Sequence, residues 1–453
     1  MKKILVANRG EIARRIFRSC RDLGIATVAV HSEADADAAH VAEANEARLI
    51  GPASPRESYL VRDRVLQAAR ETGAEAIHPG YGFLSENADF AEEAEAAGLV
   101  WIGPTPRSIR QMGDKQRARD IAEAAGAPVV PGSRRFEPGE LSGLAEAAEE
   151  VGFPLLVKAS AGGGGIGMRR VDDPAKLEEV VEGTQSMAGK AFGDGAVFLE
   201  RFVPKARHVE VQVFGFGDGG AVHLFERDCS LQRRFQKVIE ESPAPGLAGE
   251  VRARMAEAAL KLCRATSYRG AGTVEFIVDA ETFEFFFLEM NTRIQVEHPV
   301  TEMVTGRDLV AMQIELARGT LPTLDQDGIL SRGHAVECRL YAENPAKMFM
   351  PSPGPLDVLA FPDGMEHVRV DSGYRQGDMV TPHYDPMIAK VIAWGETRDE
   401  ARARAAEALR ATRVEGIRTN LAFLVACLED EAFAAGDVHT GFIETRRGEL
   451  LVA

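Results

Sequence analysis

The segment Glu289-Met290-Asn291-Thr292-Arg293-Ile294-Gln295-Val296-Glu297-His298 places a polar side chain at every second position. Strand side chains point alternately to opposite faces, so in an extended chain Glu289, Asn291, Arg293, Gln295 and Glu297 share one face. A solvent-facing sheet would tolerate such a row. The preceding Phe283-Glu284-Phe285-Phe286-Phe287-Leu288 is nearly all apolar, however, and argues that the strand enters the interior. Buried carboxylates must be paired or metal-bound. Glu275, in Gly272-Thr273-Val274-Glu275-Phe276, offers a second carboxylate from the other arm of the same apparent hairpin. It shares the face of Glu289 only if the loop is odd in length or a bulge lies near Asp279 to Thr282. Two carboxylates with Asn291 are hard oxygen ligands that suit Mg²⁺ and exclude structural zinc.

Gly162-Gly163-Gly164-Gly165-Ile166-Gly167 has five glycines in six positions, a run in which successive N–H groups can converge on an anion with no Cβ in the way. It lacks the Gly-Lys-Ser or Gly-Lys-Thr of a Walker loop. Its flanks, Leu155-Leu156-Val157-Lys158 and Met168-Arg169-Arg170-Val171, read as strands, which favours a flap over polyphosphate rather than a linker. Lys158 and Lys115 supply compact charges for phosphate oxygens. Metal carboxylates, phosphate-binding cations and a positioned nucleophile are the equipment of phosphoryl transfer.

These residues need a scaffold, and the 453-residue chain is long enough for about three domains. Strands at Lys3 to Asn8, Ala26 to Val30, Ala74 to Ile77 and Leu99 to Ile102 alternate with helical stretches, the first ended by Gly24, in the rhythm of a doubly wound parallel sheet. Its first turn, Asn8-Arg9-Gly10-Glu11, carries no Gly-x-Gly-x-x-Gly, so no dinucleotide fingerprint is present. From 126 to 204, short strands surround the glycine tract, as in a small α+β lid. From 205 to 453, strands Val209 to Phe214, Ala221 to Glu226, Thr273 to Val278 and Phe283 to Glu289, with helices from Gly249 to Thr266 and Asp308 to Arg318, make a large α+β unit. The expected division is 1–103 doubly wound, 104–125 helical connector, 126–204 lid and 205–453 catalytic.

Composition narrows the partners. Apolar residues make up 45 % and charged residues 27 %, enough to bury a sizeable core. The net charge of −16 repels nucleic acid and anionic lipid, so an anionic substrate needs a locally basic pocket. No run is long enough to span a membrane. Cys20, Cys229, Cys263, Cys338 and Cys427 are odd in number and scattered, which suits a reduced cytoplasm; Cys229, between charged neighbours, reads as a structural thiol.

Five stretches occur in order: Ala7-Asn8-Arg9-Gly10-Glu11-Ile12-Ala13, His78-Pro79-Gly80-Tyr81-Gly82-Phe83-Leu84-Ser85-Glu86-Asn87, Glu226-Arg227-Asp228-Cys229-Ser230, Asn291 to Pro299, and Gly333-His334-Ala335-Val336-Glu337-Cys338-Arg339. On these the chain, to about Asn420, resembles the biotin carboxylase component of biotin-dependent carboxylases in the ATP-grasp superfamily. The resemblance implies ATP-dependent carboxylation of biotin by bicarbonate through carboxyphosphate, with Mg²⁺ or Mn²⁺. It implies a homodimer served by a biotin carrier and a carboxyltransferase, as in acetyl-CoA carboxylase of fatty acid biosynthesis. ATP would be held by Lys115, Lys158, Gly164, Gly165, the hinge Glu200, Arg201, Phe202 and Val203, and His208. Glu275 and Glu289 would bind the metal beside Asn291. Lys237, Arg293 and the Val296 backbone would grip bicarbonate, and Glu297 would be the general base. Arg339 would stabilise the biotin enolate, with Tyr81 and Gln295 bordering biotin.

Two positions depart from the family pattern. Ile166 replaces a basic residue after the glycines, and Phe235, in Arg233-Arg234-Phe235-Gln236-Lys237, replaces a histidine near the nucleotide, which should weaken or reshape nucleotide recognition. No Ala-Met-Lys-Met segment is present, so biotin is expected on another polypeptide or domain. The competing readings are another carboxylate-activating ATP-grasp ligase, such as a carbamoyl-phosphate-synthesising domain, and a catalytically weak scaffold subunit that only binds nucleotide or carrier.

Overall fold

The structure is a computed structural model that describes residues 1–160 and 167–451. Its opening sheet has five parallel strands in the order β3-β2-β1-β4-β5: β1 (Lys3–Val6), β2 (Ala26–Ser32), β3 (Glu46–Gly51), β4 (Ala76–His78) and β5 (Val100–Trp101). This is the doubly wound order that the alternating strands and helices demand. Strand β3 is an addition to the sequence reading. It lies at the sheet edge and is largely half-buried, so its side chains show no clean alternation. The helix Gly10–Asp22 buries Ile12, Ile16, Phe17 and Cys20 on one stripe, and Gly24, at φ +68°, ends it as expected.

Helices Pro106–Gly113 and Lys115–Ala124 lead to a small three-stranded sheet, β7-β6-β8, built from β6 (Leu155–Ala159), β7 (Met168–Val171) and β8 (Val197–Arg201). Phe136, Leu144, Leu155, Val157, Val181, Val197 and Leu199 form a core of its own.

The remaining large sheet is antiparallel and eight-stranded. Its strands are β9 (Ala206–Phe216), β10 (Ala221–Arg233), β11 (Gln236–Ser242), β12 (Arg269–Asp279), β13 (Phe285–Asn291), β14 (His334–Tyr341), β15 (Val368–Ser372) and β16 (Met387–Gly395), in the order β13-β12-β9-β10-β11-β14-β16-β15. One face of its first strands packs on the helix Gly249–Ala265 through Val211, Val274, Met255 and Leu262. Phe214, Leu224 and Ala271 instead share a core with Ile4, Val6 and Ile16 of the opening domain. The large sheet and the parallel sheet are thus welded by apolar burial, worth roughly 1.5 to 3 kcal/mol for each large side chain removed from water.

Candidate active site

Three glutamates stand abreast on the large sheet: Glu210 of β9 pairs with Glu275 of β12, which pairs with Glu289 of β13. The register that the sequence left open is set by a bulge, placed elsewhere than expected. Glu275 opposes Glu289 while Phe276 opposes Phe287, so the extra residue is Leu288, not one of Asp279 to Thr282. The reason is packing. Phe285, Phe287 and Met290 all reach the same core, and a three-residue step from Phe287 to Met290 keeps one face only across a bulge, which turns Leu288 outward.

The expected extended row from Glu289 to Glu297 is not what forms. Strand β13 stops at Asn291, the chain turns, Ile294 enters the core, and Glu297 precedes the helix His298–Thr305, whose first turn holds Pro299. The polar groups converge by folding back instead. Asn291 Nδ2 and Gln295 Nε2 both donate to Glu275 Oε1, at 2.9 and 3.2 Å. Arg293 donates to Asn291 Oδ1 at 3.1 Å, Gln295 Oε1 at 2.9 Å and Glu86 Oε2 at 3.0 Å.

Lys237 of β11 is the hub. Its Nζ donates to Glu297 Oε1 at 2.6 Å, Glu210 Oε2 at 2.7 Å and Glu275 Oε1 at 2.9 Å. Arg227 of β10, wholly buried, donates to Glu210 at 2.6 Å, Gln212 at 2.6 Å, Thr301 at 2.9 Å and Thr273 at 3.0 Å. Arg339 of β14 reaches the other oxygen of Glu297 at 2.9 Å. Cys229 is buried 3.9 Å from Glu297, and burial pushes its thiol far above the ordinary range.

Charge follows geometry. Burial favours neutral Glu297, but Lys237, Arg339 and Arg227 hold its carboxyl well below the usual value. Burial likewise opposes ionised Glu275, and Lys237 and His208 overcome it. Glu289 goes the other way: burial, then repulsion from Glu275, raises it, while Lys115 and His208 pull against them. A divalent cation between Glu275 and Glu289 would relieve that repulsion, and with Asn291 Oδ1 nearby the donors are all oxygen, so the set fits Mg²⁺.

The other residues named from sequence are spread around this centre. His208 Nε2 lies 3.0 Å from Glu275 Oε2, and its Nδ1 lies 2.6 Å from Gln232 Nε2. Lys115 opens the helix Lys115–Ala124 behind Asp114, whose carboxylate caps Arg117 N–H at 2.9 Å. Lys158 Nζ bonds Glu200 Oε1 at 2.5 Å across β6 and β8. Arg201 ends β8, and Phe202 and Val203 follow it. The Val296 carbonyl accepts Lys390 Nζ at 2.8 Å, and Tyr81 donates its hydroxyl to Glu11. Gly164, Gly165 and Ile166 lie outside the described residues. Phe235 sits 73 % exposed at the tip of the β10–β11 hairpin, with φ of +67°.

Glu210, Arg227, Glu240 and Lys390 were missed by sequence reasoning. Glu210 had a signal: Val209-Glu210-Val211-Gln212-Val213 alternates polar and apolar as the chosen row does. Arg227 lay inside Glu226-Arg227-Asp228-Cys229-Ser230, one of the stretches that carry the family resemblance, but was given no role of its own.

A small three-stranded sheet with a core of its own and a large antiparallel sheet that carries paired carboxylates are the architecture of the ATP-grasp class of nucleotide-dependent ligases. Family models match along the chain: "Biotin carboxylase, N-terminal domain" over residues 1–109, "Carbamoyl-phosphate synthase L chain, ATP binding domain" over 114–325, and "Biotin carboxylase C-terminal domain" over 337–445. Biotin carboxylase 1 of Bacillus subtilis is 50 % identical over 448 residues, covering 98 % of each chain. The mitochondrial methylcrotonoyl-CoA carboxylase subunit alpha of Rattus norvegicus is 49 % identical over 99 % of this chain, which spans 62 % of that longer protein. The biotin carboxylase domain dimer of Hydrogenobacter thermophilus 2-oxoglutarate carboxylase, solved with MgADP, ADP and bicarbonate, has a TM-score of 0.90 and 42 % identity over 99 % of this chain and 98 % of that one. The chain belongs to the biotin carboxylase family.

Proposed function

We propose that this chain catalyses the ATP- and Mg²⁺-dependent carboxylation of biotin by bicarbonate, the first half-reaction of a biotin-dependent carboxylase. The observation that carries the reading is Glu297, held ionised by Lys237 and Arg339 next to the Glu275 and Glu289 pair. The middle family model is described by carbamoyl-phosphate synthase, but both flanking models are biotin carboxylase, which favours biotin as acceptor over a carbamoyl-phosphate product.

In this reading Lys237, Arg293 and the Val296 backbone hold bicarbonate. Glu297 takes its proton, the freed oxygen attacks the γ-phosphorus, and the bond to ADP breaks to leave carboxyphosphate. Glu275 and Glu289, beside Asn291, would hold Mg²⁺, which when bound would neutralise charge on the phosphate oxygens. Lys115, Lys158, Gly164, Gly165, His208 and the hinge Glu200 to Val203 position the nucleotide. Arg339 faces the oxyanion that develops as biotin is carboxylated and needs no reorganisation to do so. Tyr81 and Gln295 border biotin. Residues 126–204 act as a lid, a reading supported by their separate core.

The wider assignments rest on the family. Biotin is proposed to arrive on a carrier, with a carboxyltransferase passing the carboxyl to acetyl-CoA in fatty acid biosynthesis, propionyl-CoA, pyruvate or another acceptor, methylcrotonoyl-CoA being the one in the rat relative's name and 2-oxoglutarate and pyruvate those in the names of solved relatives. A homodimer is proposed from the dimer of the H. thermophilus domain. A cytoplasmic location is proposed from five buried, unpaired thiols. Among the described residues no helix is long and apolar enough to cross a membrane. Bicarbonate-dependent ATP hydrolysis with and without free biotin tests the reaction, and carboxylation of each of these compounds with a reconstituted carboxyltransferase tests the acceptor.

A further inference from the structure

We infer that Glu240 is a positioning residue for Arg339, fixing its guanidinium from the adjacent strand while Glu297 changes charge. The inference rests on the reading above, in which Glu297 accepts a proton and Arg339 serves the biotin step.

Glu240 lies on β11 and Arg339 on β14, next to each other in the sheet, with Ile239 opposite Cys338 and Glu240 opposite Glu337. Arg339 divides its fork: Nε donates to Glu240 Oε1 at 2.5 Å and Nη2 to Glu297 Oε2 at 2.9 Å, which leaves Nη1 off both carboxylates. Glu240 is wholly buried, and its Oε2 has no hydrogen-bond partner among the described residues. Among the described residues its side chain therefore makes a single hydrogen bond, and that bond is to Arg339. Strand position prevents Glu240 from following Arg339 if the arginine drifts, so the pair sets where the guanidinium can be.

This matters because the second anchor is temporary. A hydrogen bond between two ionised groups is roughly twice as strong as a neutral one, so protonation of Glu297 loosens its hold on Nη2. The charges facing this spot are Arg339 and Glu337 from β14, Lys237 from the same strand as Glu240, and Glu297 from the segment before the helix His298–Thr305. Of the two carboxylates that touch Arg339, Glu240 alone is not consumed as the base. It keeps a buried cation paired and aimed at the moment the biotin step needs it.

The test uses the full chain and free biotin at about pH 8, above the range in which Glu240 takes up its proton, and reads the ratio of biotin-stimulated to biotin-independent, bicarbonate-dependent ATP hydrolysis. Glu240→Gln keeps the size and an acceptor oxygen but removes the charge, and should lower that ratio about tenfold, mainly in kcat. Glu240→Asp keeps the charge and should recover it to within about threefold. In an Arg339→Ala background, where biotin stimulation is already lost, the comparison is read on bicarbonate-dependent ATP hydrolysis itself: Glu240→Gln should change that rate by less than about twofold, because the two residues act as one unit. An unchanged ratio in Glu240→Gln, or an equally deep loss with and without Arg339, overturns the inference. If the glutamine variant does not fold, Glu240→Met, which also removes the charge, carries the same comparison: it must lower the ratio with Arg339 present and leave hydrolysis alone with Arg339 gone. Arg339→Ala by itself tests the underlying reading. Loss of biotin stimulation there upholds it, and full stimulation overturns both it and the role of Glu240.

Discussion

Lys237 and Glu297 meet at 2.6 Å, with the lysine on β11 and the glutamate just ahead of a helix 60 residues later in the chain. Because the same ammonium binds Glu210 and Glu275, one cation ties the carboxylate read as base to a carboxylate read as metal ligand. Changes at either residue should separate chemistry from stability in distinct ways.

Glu297→Gln preserves shape and a hydrogen-bond acceptor but cannot take a proton. Bicarbonate-dependent kcat should fall by about 10² to 10⁴, the usual contribution of a positioned base. Steady-state ATP hydrolysis measures it, and a loss under about threefold would remove the role from Glu297.

Lys237→Gln takes one shared cation from three buried carboxylates, leaving Arg339 on Glu297, Arg227 on Glu210 and His208 beside Glu275. It should cost on the order of 3 to 5 kcal/mol at pH 7, read by denaturant unfolding. The sign with pH follows from linkage. In the native chain Lys237 depresses Glu275 and Glu297, so their stabilisation is present above the unfolded carboxylate range and is lost only as pH falls below it. In the variant the same carboxyls lose their cation, rise, and take up protons on folding, so the gap between the two proteins should narrow from pH 7 towards about pH 5.

Glu240 behaves oppositely. Burial and repulsion from Glu297 push its carboxyl up to about 7 from an ordinary 4.5, against the pull of Arg339. A raised carboxyl contributes stability below its unfolded value and loses it as pH rises through the folded one. Glu240→Gln should therefore gain on the parent protein between about pH 5 and pH 8, by on the order of 2 kcal/mol. Paired melts at the two pH values check this, and a difference that stays constant would contradict it.

The lid reading predicts that residues 126–204 shift as a body when nucleotide binds, because their core is separate and closure would exclude water from carboxyphosphate. Nucleotide-free and nucleotide-bound crystals decide it. A fixed position relative to β9 to β13 would count against the lid.

The parallel sheet was legible because its strands are short apolar runs between helical periods, and Gly24 marked a stop. The edge strand β3 was not, since an edge has no single buried face to impose a pattern. Five polar residues from Glu289 to Glu297 were found by alternation, yet their geometry is a strand end followed by a turn. Alternation reports which residues avoid the apolar core, and the buried Ile294 with Pro299 in the next helix produces that same report from a folded-back segment. Lys390 was invisible because a single charge in the apolar strand Met387–Gly395 declares nothing until its partner is known, and Glu240 because it stands beside Glu241 and Ser242 in a strand end that reads as polar; their partners, the Val296 carbonyl and Arg339, lie 94 and 99 residues away.

In the proposed reaction Glu297 deprotonates bicarbonate and Arg339 serves biotin, so turnover should answer to both. The most direct measurement is ATP hydrolysis by the purified chain with Mg²⁺ and bicarbonate, titrated with free biotin. Hydrolysis should require bicarbonate and rise with biotin to saturation, with carboxybiotin formed as the rate increases. Tight binding of Mg²⁺-ATP with a hydrolysis rate indifferent to biotin would contradict the account.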